Sequence, residues 1–332
     1  MAAQDIPDFR VIVGGEDVSS GVRPRLKSLR ISEKRGGEAD QLDLVLDDSD
    51  GAMALPRKGM MVQVRLGWKQ GRYASLGLVD KGSFKIDEVE WNDGEISLRG
   101  RSADQTSNFR IRKERSWRAT TLGAIVGEIA AGNGWEARVA PELAAIAVPV
   151  LAQQQQSDMA LLRKLGRDHD AVATVKQGAL IFTPIGKGTT AGGTTLAGLT
   201  IRRSDGGRAR YREIDRGVEA RWHDRGSGTR KTVKAGTAAG KPKRLRRVYR
   251  SEADARAAAN AKTGRTRRGA AECEVQLAYG RPDLYPERAV TLQGFKPEID
   301  GKGWIAAEIN HELDKRGLRN SVKLEADGPR KI

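Results

Sequence analysis

The stretch QQQQSDMALLRKLGRDHDAVATVKQGALIFTPIGKG, residues 153–188, places a helical and an alternating pattern side by side and decides the fold in the middle of the chain. Ser157 is a good helix N-cap, and Asp158 in the first turn favours the helix dipole. Apolar residues then recur at helical spacing, at Met159, Leu162 and Leu165. The runs AVATV and ALIFTP flank a Gln-Gly turn, so we predict a helix followed by a β-hairpin. The glutamine run, 153–156, has no explanation in the sequence.

Upstream, the run TTLGAIVGEIAAGNGW predicts a second amphipathic helix. Its apolar residues are spaced i, i+3, i+4 and i+7, at Leu122, Ile125, Val126 and Ile129. A threonine precedes them as a cap, and Gly132 follows as a stop signal. Residues 102–184 therefore indicate a small α/β unit.

From Phe9 to Arg101 the pattern has period two, which is typical of strands. FRVIVGGEDV predicts a hairpin around Gly14 and Gly15, and QLDLVLDD, MVQVRLGW, SFKIDEVEW and EISLRGR continue the series. The inward-facing residues of two of these runs are Leu42, Leu44, Leu46, Val62, Val64, Leu66 and Trp68. Short antiparallel strands must hide their edges, so we expect a small barrel or sandwich here.

After a glycine- and threonine-rich run at 186–198, predicted as an exposed connection, strands resume. They are expected in LTIRR, RYREIDRGVEARWHD, AECEVQLAYG, RAVTLQGF, WIAAEINHEL and NSVKLEA. One helix near 251–262 interrupts them, where Ser251 and Asp254 form a capping signature before an alanine-rich body. The fold class is therefore mixed and β-rich, with two β-barrels separated by a small α/β unit.

Charge limits the classes of partner. The chain carries 59 basic and 43 acidic residues, a net charge of +16, which favours nucleic acid, a membrane surface or an acidic protein face. The single cysteine, Cys273, excludes an intrachain disulfide and a cysteine-based zinc site, and it suits a reducing cytoplasm. We expect no signal peptide and no membrane span, since no apolar run approaches about 18 residues.

Candidate catalytic residues are few. His169, His223 and His311 lie in three different contexts, so no constellation is expected. The DHD run at 168–170 is interpreted as a solvated helix end, and His311, which alternates with apolar residues, as a structural histidine. The runs GKGTT and GTAAGK fail the spacing of a phosphate-binding loop. We therefore predict no catalytic residues, no cofactor and no metal.

The strongest local signal is basic charge. Residues 201–250 hold 17 basic and 5 acidic residues. The densest part predicts a partner-contact patch at Lys241, Lys243, Arg244, Arg246, Arg247 and Arg250. Contact with DNA or an acidic protein face and a solvated loop are both open interpretations. Six acids in 38–50, with no basic residue among them, suggest that subunits meet through complementary patches.

Three runs resemble one family. They are QSDMALLRKLGRDHDAVATVKQGALIFTPIGKG, GRSADQTSNFRIRKERSWRATTLGAIVGEIAAGNGW and YPERAVTLQGFKPEIDGKGWIAAEINHELDKRGLRNSVKLE. These runs, which are spread along nearly the whole chain, resemble the phage late control D proteins, which form the baseplate hub of contractile tails. That family is related to the hub portion of the VgrG proteins of type VI secretion. The chain departs from it in RDHDAVATV, where many relatives have a glycine-aromatic pair.

The resemblance implies a fold and a role. It implies two tail-tube-like barrels, at 1–101 and at 188–332 with the helix near 251–262 inserted, and an α/β domain at 102–187. It implies a homotrimer whose six barrels form a pseudo-sixfold ring between the tail tube and the central spike. Tail tube, spike, tape measure and baseplate wedge proteins are the implied partners, and DNA would pass through the lumen.

The implied particle is a contractile phage tail or a headless, R-type pyocin-like bacteriocin, assembled in the host cytoplasm. Because the chain ends at Ile332, we expect the spike to be another polypeptide. Two rival interpretations stay open: a nucleic-acid-binding protein that uses the basic residues of 201–250, and a peptidoglycan-engaging enzyme. No acidic pair of the kind that glycoside hydrolysis needs supports the enzyme.

Overall fold

The computed structural model describes residues 5–36, 39–71, 76–102, 107–176, 178–186, 197–203, 207–211, 217–236 and 241–327. The strands, numbered in chain order, are β1 Ile6–Val13, β2 Glu16–Asp17, β3 Leu26–Lys34, β4 Gln41–Asp47, β5 Met61–Gln70, β6 Gly77–Asn92, β7 Glu95–Ser102, β8 Arg112–Thr121, β9 Glu136–Val139, β10 Ala147–Ser157, β11 Ala171–Lys176, β12 Ala179–Pro184, β13 Leu199–Arg202, β14 Gly207–Tyr211, β15 Val218–Asp224, β16 Thr229–Ala235, β17 Lys243–Tyr249, β18 Ala271–Leu277, β19 Ala289–Gln293, β20 Gly303–Asp314 and β21 Gly317–Ala326.

The helices are short apart from three. They are α1 Ser19–Val22, α2 Leu122–Ala131, α3 Pro141–Ala144, α4 Asp158–His169, α5 Glu252–Arg268 and α6 Pro297–Asp300, with single 3-10 turns at Arg23–Arg25 and Ser107–Arg110. Among the residues that the structure describes, no helix is both long enough and apolar enough to cross a bilayer.

The period-two segments near the N-terminus form strands as predicted. In β4 and β5 every second side chain is buried, and these are the leucines, valines and tryptophan that the alternation selects. Gly14 and Gly15 connect β1 to β2 with φ of 59° and 93°, which a two-residue hairpin turn requires and a β-carbon disfavours. The predicted hairpin is therefore confirmed.

One sheet of 13 strands runs through both ends of the chain. Its main path is β14-β18-β21-β20-β3-β4-β7-β6-β5-β1-β2, and β19 pairs β20 and carries β13 at its side. Strand β3 pairs antiparallel with β20, from Lys34 opposite Glu308 to Ser28 opposite Asp314. The β-rich class is confirmed, but the closure of each barrel is not, because the described strands pair along an open path.

The middle of the chain is a small α/β unit, as predicted. Strand β12 pairs antiparallel with β11 and parallel with β9, and α2 and α4 pack on this sheet. Thr121 and Ser157 cap the two helices by accepting hydrogen bonds from the backbone N–H of Ala124 and Ala160. Gln177 of the predicted turn and most of the run 186–198 lie outside the described residues.

The antiparallel ribbon of β8 and β10 was not predicted. Strand β8 is polar and buries only Trp117, and β10 begins with a continuous apolar run at 147–152 before its glutamines. Neither strand therefore shows the apolar alternation on which a strand prediction depends.

A separate small sheet was predicted only in part, since β15 lies in the predicted run RYREIDRGVEARWHD, whereas β16 and β17 were not predicted. Strand β15 pairs antiparallel with β16 and parallel with β17. Helix α5 covers one face of this sheet with Ala255, Ala258 and Ala259. The helix begins after Ser251 as predicted, but it continues beyond the predicted end to Arg268, whose buried side chain pairs with Asp170 at the end of α4.

Candidate functional site

The three histidines do not converge. His169 ends α4 and is half-buried, His223 is exposed on β15, and His311 is fully buried on β20. Within the described ranges, no group of three or more His, Cys, Asp and Glu side chains is placed to hold a metal ion. The structure therefore brings none of the predicted histidines together into one site.

The two acids of the DHD run attach α4 to its neighbours. Asp168 accepts an ion pair from Arg247 of β17 at 3.0 Å. Asp170, at the left-handed C-cap of α4, accepts a bidentate pair from Arg268 of α5, with one contact of 2.9 Å. The prediction of a solvated helix end is therefore wrong, because a partner helix packs against this end in the tertiary structure.

Four ionisable side chains from four strands meet beside the β3 and β20 pairing, and we call them the junction cluster: Glu33, Lys81, Lys176 and His311. The Lys81 Nζ lies 2.8 Å from the Glu33 Oε2, and the Lys176 Nζ lies 3.3 Å from the Glu33 Oε1. The His311 Nε2 lies 3.0 Å from the Glu33 Oε2. One carboxylate thus holds side chains from β6, β11 and β20.

The hydrogen bonds of His311 define its proton. Its Nδ1 lies 2.7 Å from the Asn320 amide nitrogen, which can only donate, so Nδ1 accepts and Nε2 carries the proton towards Glu33. Burial, reinforced by the Lys81 ammonium, lowers the pKa of His311 to about 4. His311 is therefore neutral near pH 7 and structural, as predicted.

The charges of the cluster depend on one another. Burial alone would raise the pKa of Glu33, but Lys81, the hydrogen bond from His311 and Lys176 together hold that pKa well below its usual range. Burial lowers the pKa of Lys81, and the Glu33 carboxylate opposes this effect. Leu29, Ile31 and Glu33 share the inward face of β3. An acid at an inward-facing position of a strand was therefore the feature of the sequence that could have predicted this buried cluster.

A second set of ion pairs lies next to the β3 and β20 pairing. Arg35, just past β3, pairs with Glu287 and, at 2.5 Å, with Glu325 of β21. Glu287 also accepts the backbone N–H of Gly186 at 3.1 Å. Burial raises the pKa of Glu287, against the attraction of the Arg35 guanidinium. These contacts join the beginning, the middle and the end of the chain.

The structure explains the glutamine run. Gln153 is fully buried, donates from Nε2 to Gln156 O at 2.8 Å and to Asp158 Oδ1 at 3.0 Å, and accepts from Arg115 Nε at 3.1 Å. The β-bulge between 153 and 156 and the positive φ of 49° at Gln155 make this turn of the backbone possible. The run is therefore a polar joint between the ribbon and the start of α4.

All six residues of the predicted basic patch are exposed. Three of them bind within the chain: the Arg244 Nε lies 2.9 Å from Glu219, Arg247 pairs with Asp168, and Arg250 donates to the Val150 carbonyl at 2.8 Å. Within the described part of the chain, Lys241, Lys243 and Arg246 form no ion pair. Most of the patch lies on the edge strand β17 and not on a loop, and Lys241 and Arg250 flank that strand.

The acidic run has partners within the chain, and one of its acids, Asp40, pairs with Lys176 of β11 at 3.2 Å. Asp43 lies 3.4 Å from Arg99, Asp47 lies 3.8 Å from Lys27, and Asp50 lies 2.6 Å from Arg25. Glu38 lies outside the described residues. Because these carboxylates are already paired, they offer a second subunit less negative charge than the sequence suggests.

Comparison with known proteins agrees with this architecture. Residues 41–317 match the family model described as phage tail baseplate hub (GPD). The chain is 36% identical to the probable baseplate hub protein of Escherichia phage P2, over 96% of this chain and 93% of that protein. The crystal structure of the prophage MuSo2 43 kDa tail protein from Shewanella oneidensis superposes with a TM-score of 0.67 at 14% identity, over 96% of this chain and 98% of that one.

The fold is also that of a type VI secretion component. The E. coli c3393 protein, described as similar to the bacteriophage T4 tail proteins gp27 and gp5, superposes with a TM-score of 0.57 at 14% identity. That alignment covers 100% of this chain and 78% of the other. With the family model matched over most of its length and a curated relative matched nearly end to end, the chain belongs to the phage tail baseplate hub (GPD) family.

Proposed function

We propose that this chain is the structural hub of a contractile-tail baseplate, joining the tail tube to the central spike. The observation that supports this role best is the β3 and β20 pairing, which merges the strands of both chain ends into one sheet. The ion pairs of Glu33 with Lys81 and of Arg35 with Glu325 lie beside the same strand pairing and stabilise it. A continuous sheet keeps the two ends of the chain in a fixed arrangement. Such rigidity suits a protein that transmits force between a tail tube and a spike.

The proposed assembly is a homotrimer. Two strand-rich halves per chain, at 1–101 and 188–332, would give six similar faces in three chains and so match a sixfold tube. The domain division, with 102–187 between, is supported by separate apolar clusters, although Leu313 and Leu318 of the last strands pack into the first cluster. The role is structural and not enzymatic, as the family implies.

The partners follow from this role. We propose contacts with the tail tube, the central spike, the tape measure protein and baseplate wedge proteins, in a phage tail or a headless bacteriocin assembled in the host cytoplasm. DNA would cross the lumen of a phage particle. The basic patch is proposed to contact a neighbouring tail component, since Lys241, Lys243 and Arg246 remain exposed on an ordered edge.

Oligomeric state and shape test the proposal. Light scattering coupled to size exclusion gives the mass of the chain alone and co-expressed with its spike protein, and electron microscopy gives the symmetry. A threefold ring with a central channel is expected in the co-expressed sample. A spike complex with one hub chain, or with a symmetry other than threefold, would contradict it.

The patch is tested by particle assembly. Reversal of charge at Arg244, Arg246 and Arg247 should reduce the yield of intact particles. The control is reversal of charge at Lys27 and Arg99, which pair with Asp47 and Asp43 outside the patch. Unchanged assembly in the patch variant would remove the patch from the proposed interface.

Nucleic-acid binding is the second candidate, supported by exposed Arg230, Lys234 and Arg246 on the small sheet. Binding of the purified chain to duplex DNA with a steep dependence on salt would favour it. Absence of binding at about 50 mM salt, where phosphate contacts are strongest, would exclude it.

A further inference from the structure

A groove of about 530 Å³ separates the β8 and β10 ribbon from the small sheet. One wall is the stretch 146–152, which includes most of β10's apolar half, and the other is formed by Arg247, Tyr249 and Arg250. Lys164 and Asp168 of α4 also line it. We call this feature the β10 groove. It brings together an edge strand and several cations, of which Arg247 and Arg250 also contact Asp168 and the Val150 carbonyl.

The wall at 146–152 presents an unpaired strand edge. Among the described strands, β10 pairs only with β8, so its other edge faces the groove. The Val150 carbonyl accepts a hydrogen bond of 2.8 Å from the Arg250 guanidinium, which shows that this edge can bind a donor across the groove. Val150 is itself 43% exposed. Pro149 lacks an N–H, a feature typical of edge strands that must avoid indiscriminate pairing.

The groove is basic. Arg247 and Arg250 face Lys164, and Arg225 lies at the same opening. Asp168, one of two carboxylates that line the groove, is already paired with Arg247. Burial lowers the pKa of Lys164, and repulsion by Arg247 and Arg250 lowers that pKa further. The three cations therefore lie close enough to repel one another. An occupant with negative charge would relieve this repulsion.

We propose that the β10 groove binds an extended, acidic segment of another polypeptide, which adds to β10 as a strand. The residues 147–152 offer an edge of about 20 Å, enough to pair with a segment of about six residues. Acidic side chains on one face of that segment would meet Lys164, Arg247 and Arg250, and apolar ones on the other would cover Val150. A peptide is favoured over nucleic acid because only a peptide backbone repeats the donors and acceptors of a strand edge.

Peptide binding by the purified full chain tests the charge requirement. The probe is a fluorescent peptide of alternating glutamate and valine, about eight residues long, and its control alternates lysine and valine. We expect the acidic peptide to bind at least about ten-fold more tightly at about 50 mM salt, and to weaken as salt rises. Equal binding of the two peptides, or of neither, would overturn the proposal.

Charge reversal locates the site. The double variant Arg247→Glu and Arg250→Glu should weaken acidic-peptide binding by about ten-fold or more, since each removes a facing cation. The matched control is Arg230→Glu with Arg246→Glu, which changes the net charge equally on the same small sheet but outside the groove. If the double variant fails to fold, Arg250→Gln removes one cation without reversing its charge, and it should give a smaller loss of binding. An equal loss in the control variant would contradict the site.

Hydrogen exchange tests strand addition. The acidic peptide should slow amide exchange within 147–152, and methylation of alternate peptide nitrogens should abolish both the protection and the binding. Binding without protection would overturn the added strand. If a DNA duplex outcompetes the peptide and loses affinity in the Arg247 and Arg250 variant, the groove belongs to nucleic acid and the proposal fails. These measurements use the isolated chain, so their outcome is separate from that of hub assembly.

Discussion

His311 on β20 and Glu33 on β3 are diagonal neighbours across the strand pair that joins the two ends of the chain, and their Nε2 and Oε2 atoms lie 3.0 Å apart. Both side chains are almost completely buried, and Lys81 shares the same carboxylate oxygen at 2.8 Å. A polar contact of this kind specifies register, because a slip of one residue would turn the side chains of one strand to the other face of the sheet and separate the two groups.

Neutralising Glu33 should destabilise the fold strongly. In Glu33→Gln the ammonium groups of Lys81 and Lys176 lose their shared carboxylate while remaining buried or half-buried, so we expect a loss of about 3 to 5 kcal/mol in the free energy of unfolding. Chemical denaturation followed by circular dichroism measures it. The matched control is Glu88→Gln, whose ion pair with Arg99 is exposed and should contribute at most about 1 kcal/mol. Similar losses in both variants would contradict the importance of the cluster.

Stability should fall as pH drops from about 6.5 towards 4. The pKa of His311 is lowered to about 4 in the folded chain, so in this window the unfolded chain binds a proton that the folded chain does not. His311 therefore contributes stability that is complete above its unfolded pKa and declines by about 3 kcal/mol down to its folded pKa. Below this window Glu33, whose folded pKa is also lowered, acts in the same direction.

The variant His311→Gln isolates this effect. Its unfolding free energy should be lower at pH 7 but change less between pH 6.5 and 4 than that of the parent chain. Since His223 is exposed, His223→Gln should keep the parent's pH dependence. A parent-like slope in His311→Gln would assign the pH dependence to other groups, such as His169, whose pKa burial also lowers.

Gln153 should matter more than its neighbour in the same run. Gln153→Ala leaves the buried Asp158 without one of its donors and the Arg115 Nε without its acceptor, which should cost about 1 to 3 kcal/mol. Gln154 is exposed on the same strand, and Gln154→Ala should change stability by at most about 0.5 kcal/mol. Thermal unfolding of the two variants measures the difference. Equal melting temperatures would show that the hydrogen bonds of Gln153 do not stabilise the connection between the β8 and β10 ribbon and α4.

Two glycines should respond in opposite directions to alanine. A β-carbon at Gly67 would lie 1.7 Å from the Gly77 carbonyl oxygen on the paired strand β6, so Gly67→Ala must force the strands apart. At Gly127, within α2, a β-carbon meets nothing within 4 Å, and Gly127→Ala should stabilise the helix by up to about 1 kcal/mol. Denaturation midpoints should fall for the first variant and rise for the second, and a fall in both would contradict the open space at Gly127.

Sequence patterns predicted the elements that have one apolar face. The hairpin at Gly14, the alternating strands β4 and β5, and the two capped helices α2 and α4 all lie where periodicity and capping placed them. The same patterns missed β8, β10, β16 and β17, which are rich in charge and glutamine and bury few side chains. His311 was identified as structural, since its position in an apolar alternation was visible in the sequence.

What the sequence by itself determined is the local order of strands and helices, the β-rich class and the resemblance to a hub family, because each depends on spacing within a short window. Only the tertiary structure decided that β3 pairs with β20, that Glu33 receives Lys81, Lys176 and His311, and that β10 faces a basic groove. Glu33 and His311, for example, lie 278 positions apart in the sequence. No local periodicity carries information across such a distance, because the partner of a buried charge is chosen by the packing of whole sheets.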